Sequence, residues 1–247
     1  MDSQFKMSLE KTPLRTYGYH VATTEDLVEL NKYKNSLIKA AEYYRENLVK
    51  GRVIYLIKNK DQIMALPVRF GKENFAHLTG ISFDRKKASQ LLDELADGKL
   101  VQNAIFIKND GTTFEKLARI SEITKVTDSN VMELGQVSAF VQQVKKLNFN
   151  KAIKPSDKTL LALKKIEPKI YRPYSLINLK TAKNSYSDYS KVPENTVVAV
   201  LSLTRNQLKG FSIGTLSVNS KYVKDGRQLT ELTTKMRQIL LKEYVAL

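Results

Sequence analysis

The chain has 247 residues, 42% of them hydrophobic and 27% charged, which supplies apolar material for a substantial core and excludes bulk disorder. It contains no cysteine, which removes disulfides, thiolate metal sites and a cysteine nucleophile together and fits a reducing compartment. Lys and Arg number 41 against 25 Asp and Glu, a net charge of +16, so a nucleic acid is expected as partner ahead of an acidic protein or an anionic membrane.

The charge is unevenly placed. Residues 1–150 hold 23 basic and 18 acidic residues, a net of +5, whereas residues 151–247 hold 18 and 7, a net of +11. No apolar run approaches the roughly 18 residues needed to span a bilayer. The opening Met1-Asp2-Ser3-Gln4-Phe5-Lys6 lacks the apolar centre of a secretion signal, so a cytoplasmic protein without membrane association is expected.

Taken in chain order, residues 1–22, with Pro13 and Gly18, read as an irregular lead-in to a single α+β domain over 23–247. Thr23 and Asp26 stand at capping-box spacing, and Leu30, Tyr33, Leu37, Ala41, Tyr44 and Leu48 recur at three- and four-residue steps before Gly51, predicting a long amphipathic helix. Residues 52–58 are β-branched and short, Asn59-Lys60-Asp61 offers a turn, and Met64, Leu66, Val68 and Phe70 alternate, predicting a β-hairpin. Asp84 is placed to cap a helix carrying Ala88, Leu91, Leu92 and Leu95, which Gly98 stops. Thr112 and Glu115 suggest another capping box, with Phe114, Leu117 and Ala118 on the helix behind it. Leu134, Val137, Phe140, Val141 and Val144 keep helical spacing around Gly135. From about residue 155 the texture changes to short strands at 159–166, 169–179, 196–203 and 211–218, which predict an antiparallel meander. Leu229, Leu232, Met236, Ile239 and Leu240 make a closing helix. The expected fold is therefore α+β, with N-terminal helices and a hairpin (about 23–150) packed on a basic, roughly four-stranded antiparallel sheet (about 151–247).

Several chemistries lack their residues. The ten glycines are scattered, so there is no phosphate-binding loop of the Walker or Rossmann type. Two distant histidines make no zinc cluster, and the basic half is poor in carboxylates, so no metal and no cofactor are expected. A metal-free ribonuclease needs less, because the RNA 2′-hydroxyl is the nucleophile and the protein supplies phosphate clamps and proton carriers. His77, in Phe75-Ala76-His77-Leu78-Thr79-Gly80-Ile81, is either a general acid or base or a structural ring bonded to backbone; His20 reads as structural. Lys169-Ile170-Tyr171-Arg172-Pro173-Tyr174-Ser175-Leu176 gathers phenols, a guanidinium and a hydroxyl in the most basic region. On an ideal strand Tyr171, Pro173 and Ser175 would share one face, and Arg172 and Tyr174 the other. Arg172 is suited to clamp a phosphate and Tyr171 or Tyr174 to stack a base, or the segment is an ordinary edge strand. Lys164, Lys165, Lys169 and Arg205 are candidate nucleic-acid contacts.

The Phe-x-His-Leu-Thr-Gly-Ile segment after a hairpin, followed by helices and a Tyr-Arg-Pro-Tyr-Ser-Leu strand, resembles a phage-associated branch of the barnase–EndoU–colicin–RelE-like nucleases over most of residues 50–220. The resemblance implies helices against an antiparallel sheet and metal-independent RNA cleavage, with His77 on the family's His-Leu-x-Gly position and Ser175-Leu176 on its Ser-Leu strand. The expectation is an endoribonuclease using His77, Arg172, Tyr174 and Ser175. The partner would be RNA, or another nucleic acid, with an inhibitor or host protein as a second kind of partner. The alternatives are a non-catalytic nucleic-acid-binding protein and a phage accessory protein that inhibits a host defence component.

Overall fold

The computed structural model describes residues 4–60, 62–135, 137, 149, 151–180, 191–206 and 210–244. Strand β1 (Lys6–Met7) and β2 (Tyr19–Val21) lie in the first 22 residues. Helices α1 (Thr24–Lys32) and α2 (Lys34–Tyr43) follow, the latter running into a single π turn at Tyr44–Leu48. Next come β3 (Arg52–Asn59), β4 (Gln62–Arg69), α3 (Asn74–Thr79), β5 (Ile81–Phe83) and α4 (Ala88–Ala96). Strands β6 (Val101–Gln102) and β7 (Ile105–Lys108) lead to α5 (Thr112–Leu117) and a 3-10 turn at Ile120–Lys125. The rest is β8 (Met132–Gly135), β9 (Lys151–Ser156), β10 (Thr159–Glu167), β11 (Ile170–Asn178), β12 (Glu194–Asn206), β13 (Gly210–Val218) and α6 (Gly226–Tyr244).

The sheet overturns the expected α+β fold of helices packed on a four-stranded antiparallel meander: the molecule is mostly sheet, with few helices. Strands run in the order β12-β3-β4-β11-β10-β9-β8, and β8 pairs back onto β12, closing a seven-stranded barrel with β13 added at the edge of β12. The β3–β4 hairpin is as predicted, but it does not sit apart from the C-terminal strands. It inserts between β11 and β12, with β3 antiparallel to β12 and β4 meeting β11 in parallel at Tyr171–Val68. The reason lies in β3 itself. Val53, Ile54, Tyr55, Leu56 and Ile57 are all buried, so both of its faces need cover and it becomes a central strand. Val53, Tyr55 and Ile57 join the main core with α2, α3 and α4, while Ile54 and Leu56 join a second cluster with Ala199, Leu201 and Leu203.

Closure depends on the length of β12. Its first residues, Glu194 to Thr196, pair with β8, and the same edge further along, from Ala199, pairs with β13. Leu134 and Gly135, expected at the start of a helix, lie in this closing strand; Val137 is helical, and residues 138–148 lie outside the described residues. Strand β9 was not predicted, because Lys151, Lys154 and Pro155 interrupt its apolar pattern.

Smaller expectations divide in the same way. The Thr23–Asp26 capping box forms, with Thr23 Oγ1 accepting from the Asp26 amide at 3.2 Å and Asp26 Oδ2 accepting from the Thr23 amide at 2.9 Å. The long first helix is instead two, breaking at Tyr33. Asp84 does not cap α4; it accepts from the Leu14 amide and from Asn103 Nδ2, while Gln90 Oε1 accepts from the Lys87 amide at the helix start. At α5, Asp110 rather than Glu115 satisfies the first turn, accepting from the Thr112 amide and hydroxyl.

Candidate functional site

Helix α3 lies against β11 and α4, and hydrogen bonds fix both of its ends. Asn74 Oδ1 accepts from the Gly71 amide at 2.9 Å where the chain enters the helix. At the exit, Gly80 adopts φ +75°, a left-handed conformation that side chains disfavour, and a Cβ there would stand 3.0 Å from Thr113 Oγ1. The last carbonyls of any helix lack intrahelical partners. Here α5 and Thr79 supply them: Thr79 Oγ1 donates to the Ala76 carbonyl, Thr113 Oγ1 donates to Gly80, and Lys116 Nζ donates to the His77 carbonyl at 2.6 Å. With Phe75 and Leu78 buried in the core, His77 is fixed facing outwards.

His77 is solvent-accessible, yet desolvation of the packed part of its ring lowers its pKa below the usual 6.5. The positive charges of Lys116, Arg172 and Lys108 push the same way, and Glu73 opposes them. At neutral pH the imidazole is therefore uncharged and able to accept a proton. Lys116 is itself buried beneath it, and burial, aided by Lys108, brings its pKa down to about 7. Ala76 and His77 line a cleft of about 180 Å³ together with Thr16 and Tyr19. Among the described residues, no three His, Cys, Asp or Glu side chains converge as a metal-ligand cluster.

Strand β11 carries the other expected residues, with a change of geometry. Leu163 faces Pro173 and Ala162 faces Ser175 across the β10–β11 pair, so Tyr174 is an extra residue in a β-bulge. Cross-strand partners project to the same side. Arg172, opposite Lys164, and Ser175, opposite Ala162, therefore share one face, while Tyr171 and Pro173 take the face of Leu163 and the main core. The alternation expected from an ideal strand is reset at residue 174. Tyr174 lies under Lys164, whose Nζ is 5.4 Å from the ring centroid. Arg172 lies within electrostatic range of His77. Lys165 and Lys169 are exposed near the β10–β11 turn, and Tyr171 packs against the main core. Arg205 falls near the end of β12, and its side chain lies outside the described residues.

His20, read as structural, meets Asp26 Oδ2 at 2.9 Å and Asn109 Oδ1 at 3.0 Å through its ring nitrogens, which ties β2 to α1 and to the end of β7. Lys108, Lys116 and Tyr19 are not marked as site residues by the sequence. Lys116 follows Phe114 and precedes Leu117 on a helix of ordinary amphipathic pattern, and nothing local marks it as buried. Tyr19 carried a weak signal, an aromatic beside a glycine in Tyr17-Gly18-Tyr19.

Among the described residues no helix is long and apolar enough to cross a membrane. No curated protein and no solved structure matches the chain. A family model does, from residue 36 to residue 219, a span that includes α3, α5 and β11 and is well over half of the chain. That family is of the nuclease type, whose substrate is nucleic acid. The chain belongs to the phage-Barnase-EndoU-ColicinE5/D-RelE like nuclease4 family.

Proposed function

We propose that this nuclease-family chain is a metal-independent endoribonuclease that cleaves by attack of the RNA 2′-hydroxyl on the adjacent phosphate. The observation that carries the reading is an accessible histidine held uncharged at neutral pH among Lys108, Lys116 and Arg172. In the proposed step His77 takes the 2′-hydroxyl proton and the oxygen bonds to phosphorus. The bond to the 5′-oxygen then breaks, and that oxygen takes a proton from solvent, leaving a 2′,3′-cyclic phosphate. Arg172 and Lys108 offset the charge gathering on the non-bridging oxygens. Tyr174 and Ser175 position the strand, and Lys164, Lys165, Lys169 and Arg205 contact its backbone. The proposal assigns no contact to Tyr171, whose ring packs against the core.

The test is cleavage of single-stranded RNA in excess EDTA, with His77→Ala beside the unaltered protein. Positioned proton transfer contributes about 10² to 10⁴ in rate, so the variant should lose activity by that factor while its melting temperature stays put. Cyclic-phosphate ends should form, and the rate should rise with pH through a midpoint below 6.5. Activity that EDTA removes and Mg²⁺ restores, or a folded variant with undiminished cleavage, would overturn the mechanism.

A further inference from the structure

We infer that the cleft beside His77 is a nucleobase subsite, which takes a base of the strand whose phosphate lies at the imidazole and so sets which RNA sequence is engaged. This rests on the proposed function and adds a specificity element to it.

The cleft encloses about 180 Å³, with His77 in its wall. At roughly 30 Å³ per water, that is about six waters' worth of space, on the scale of one ring system and far below a duplex or a folded peptide. Phe83 and Leu91 are nearly inaccessible and give an apolar floor, the Tyr19 ring forms a wall, and Ser82 and Thr16 add hydroxyls. A mostly apolar slot with a few polar groups is how small planar ligands are held, and bases stack on aromatic rings. Burial and the nearby Asp110 carboxylate raise the Tyr19 pKa, so its phenol is neutral and able to donate a hydrogen bond.

Lys87, exposed at the start of α4, also lines the cleft, and Lys108 and Arg172 lie within electrostatic range of His77, so cations are available to the backbone attached to the base, while Lys86 is paired with Glu94 at 2.7 Å. Thr16 and Tyr19 precede residue 36, where the family match begins, so this wall is contributed by a part of the chain outside the matched span. Tyr17, wholly exposed at the turn between those two residues, offers a surface for the neighbouring base.

The test is binding of the unaltered protein to labelled 2′-O-methyl RNA tetranucleotides, one for each base, at low salt. These probes have no 2′-hydroxyl, so the readout does not depend on cleavage, and failure of the proposed chemistry would leave it untouched. One base should bind at least about tenfold more tightly than the weakest. Tyr19→Ala should lower that affinity by roughly 5- to 100-fold, as expected for losing one stacked base, and Tyr19→Phe should retain most of it. Ala88→Leu fills the cleft from the exposed first residue of α4, leaves the core alone, and should level the preference in the same way. Equal affinity for all four probes, or a folded Ala88→Leu protein with its preference intact, would overturn the assignment.

Discussion

Lys116 has two consequences at the scale of one residue. Its ammonium caps the carbonyl of His77 from a buried position, so it fixes the histidine's backbone and lends it a positive field. A lysine whose pKa is about 7 in the fold and about 10.4 in the unfolded chain weakens the folded state at neutral pH and below. Between those values the unfolded chain holds more protons than the folded one, so stability rises with pH from about 7 towards 10. At 1.36 kcal/mol per pH unit the lowering corresponds to on the order of 5 kcal/mol. Urea unfolding of the wild-type protein at pH 7 and pH 9.5 should therefore give a higher stability at the alkaline value. Lys116→Met should remove most of that difference; an unchanged difference in the variant would mean that other groups produce it. Sequence alone singled out His77, because Phe75, Leu78 and Gly80 bracket it with anchors and a turn. Lys116 was illegible, since its burial arises only when α5 meets the end of α3, 39 residues earlier in the chain.

The barrel's closing seam is the element on which the whole sheet depends. Glu133 on β8 is fully buried, with Oε1 2.6 Å from Lys151 Nζ on β9 and Oε2 accepting from Asn195 Nδ2 on β12 at 2.7 Å. One carboxylate thus joins three strands where the ring of strands shuts. Removing Glu133 leaves Asn195 Nδ2 without its acceptor and Lys151, about a quarter exposed, without its partner, which typically costs about 1–3 kcal/mol. Glu133→Ala should lower unfolding free energy by that order in urea titrations, and Glu133→Met combined with Lys151→Met should recover much of the loss. A single variant within about 1 kcal/mol of wild type would show that backbone pairing alone holds the seam. The β3–β4 hairpin was legible because turn residues separate two strand-like runs. The closure was not, because β8 is four residues long and β9 contains a proline and two lysines. Neither has the alternation that announces a half-buried strand. The bulge at Tyr174 was equally hidden, since an inserted residue is defined by its partner strand.

For the whole molecule, the decisive quantity is where cationic charge remains available once internal ion pairs are counted. Residues 151–224 hold 14 basic and 4 acidic residues. The acidic groups are partly committed within the fold, Lys154 meeting both Asp157 and Glu194. Lys164, Lys165 and Arg172 have no carboxylate within ion-pair distance among the described residues, and the β10–β11 pair brings all three into one stretch of barrel wall. A strand held there releases counterions in proportion to the phosphates neutralised, at roughly 0.7 to 0.9 per phosphate. Contact with about four to six phosphates gives a slope of log affinity against log salt of about −3 to −5. Replacing Lys164, Lys165 and Arg172 with glutamine should reduce that slope by about two and weaken all sequences alike, because backbone contacts carry no sequence information. Ala88→Leu should do the reverse, altering base preference while leaving the slope alone. Anisotropy titrations between 50 and 200 mM salt on roughly equal terms for both variants would separate the two surfaces. A slope near zero in the wild-type protein, or one that the triple replacement leaves unchanged, would place the polyanion somewhere other than on this part of the barrel.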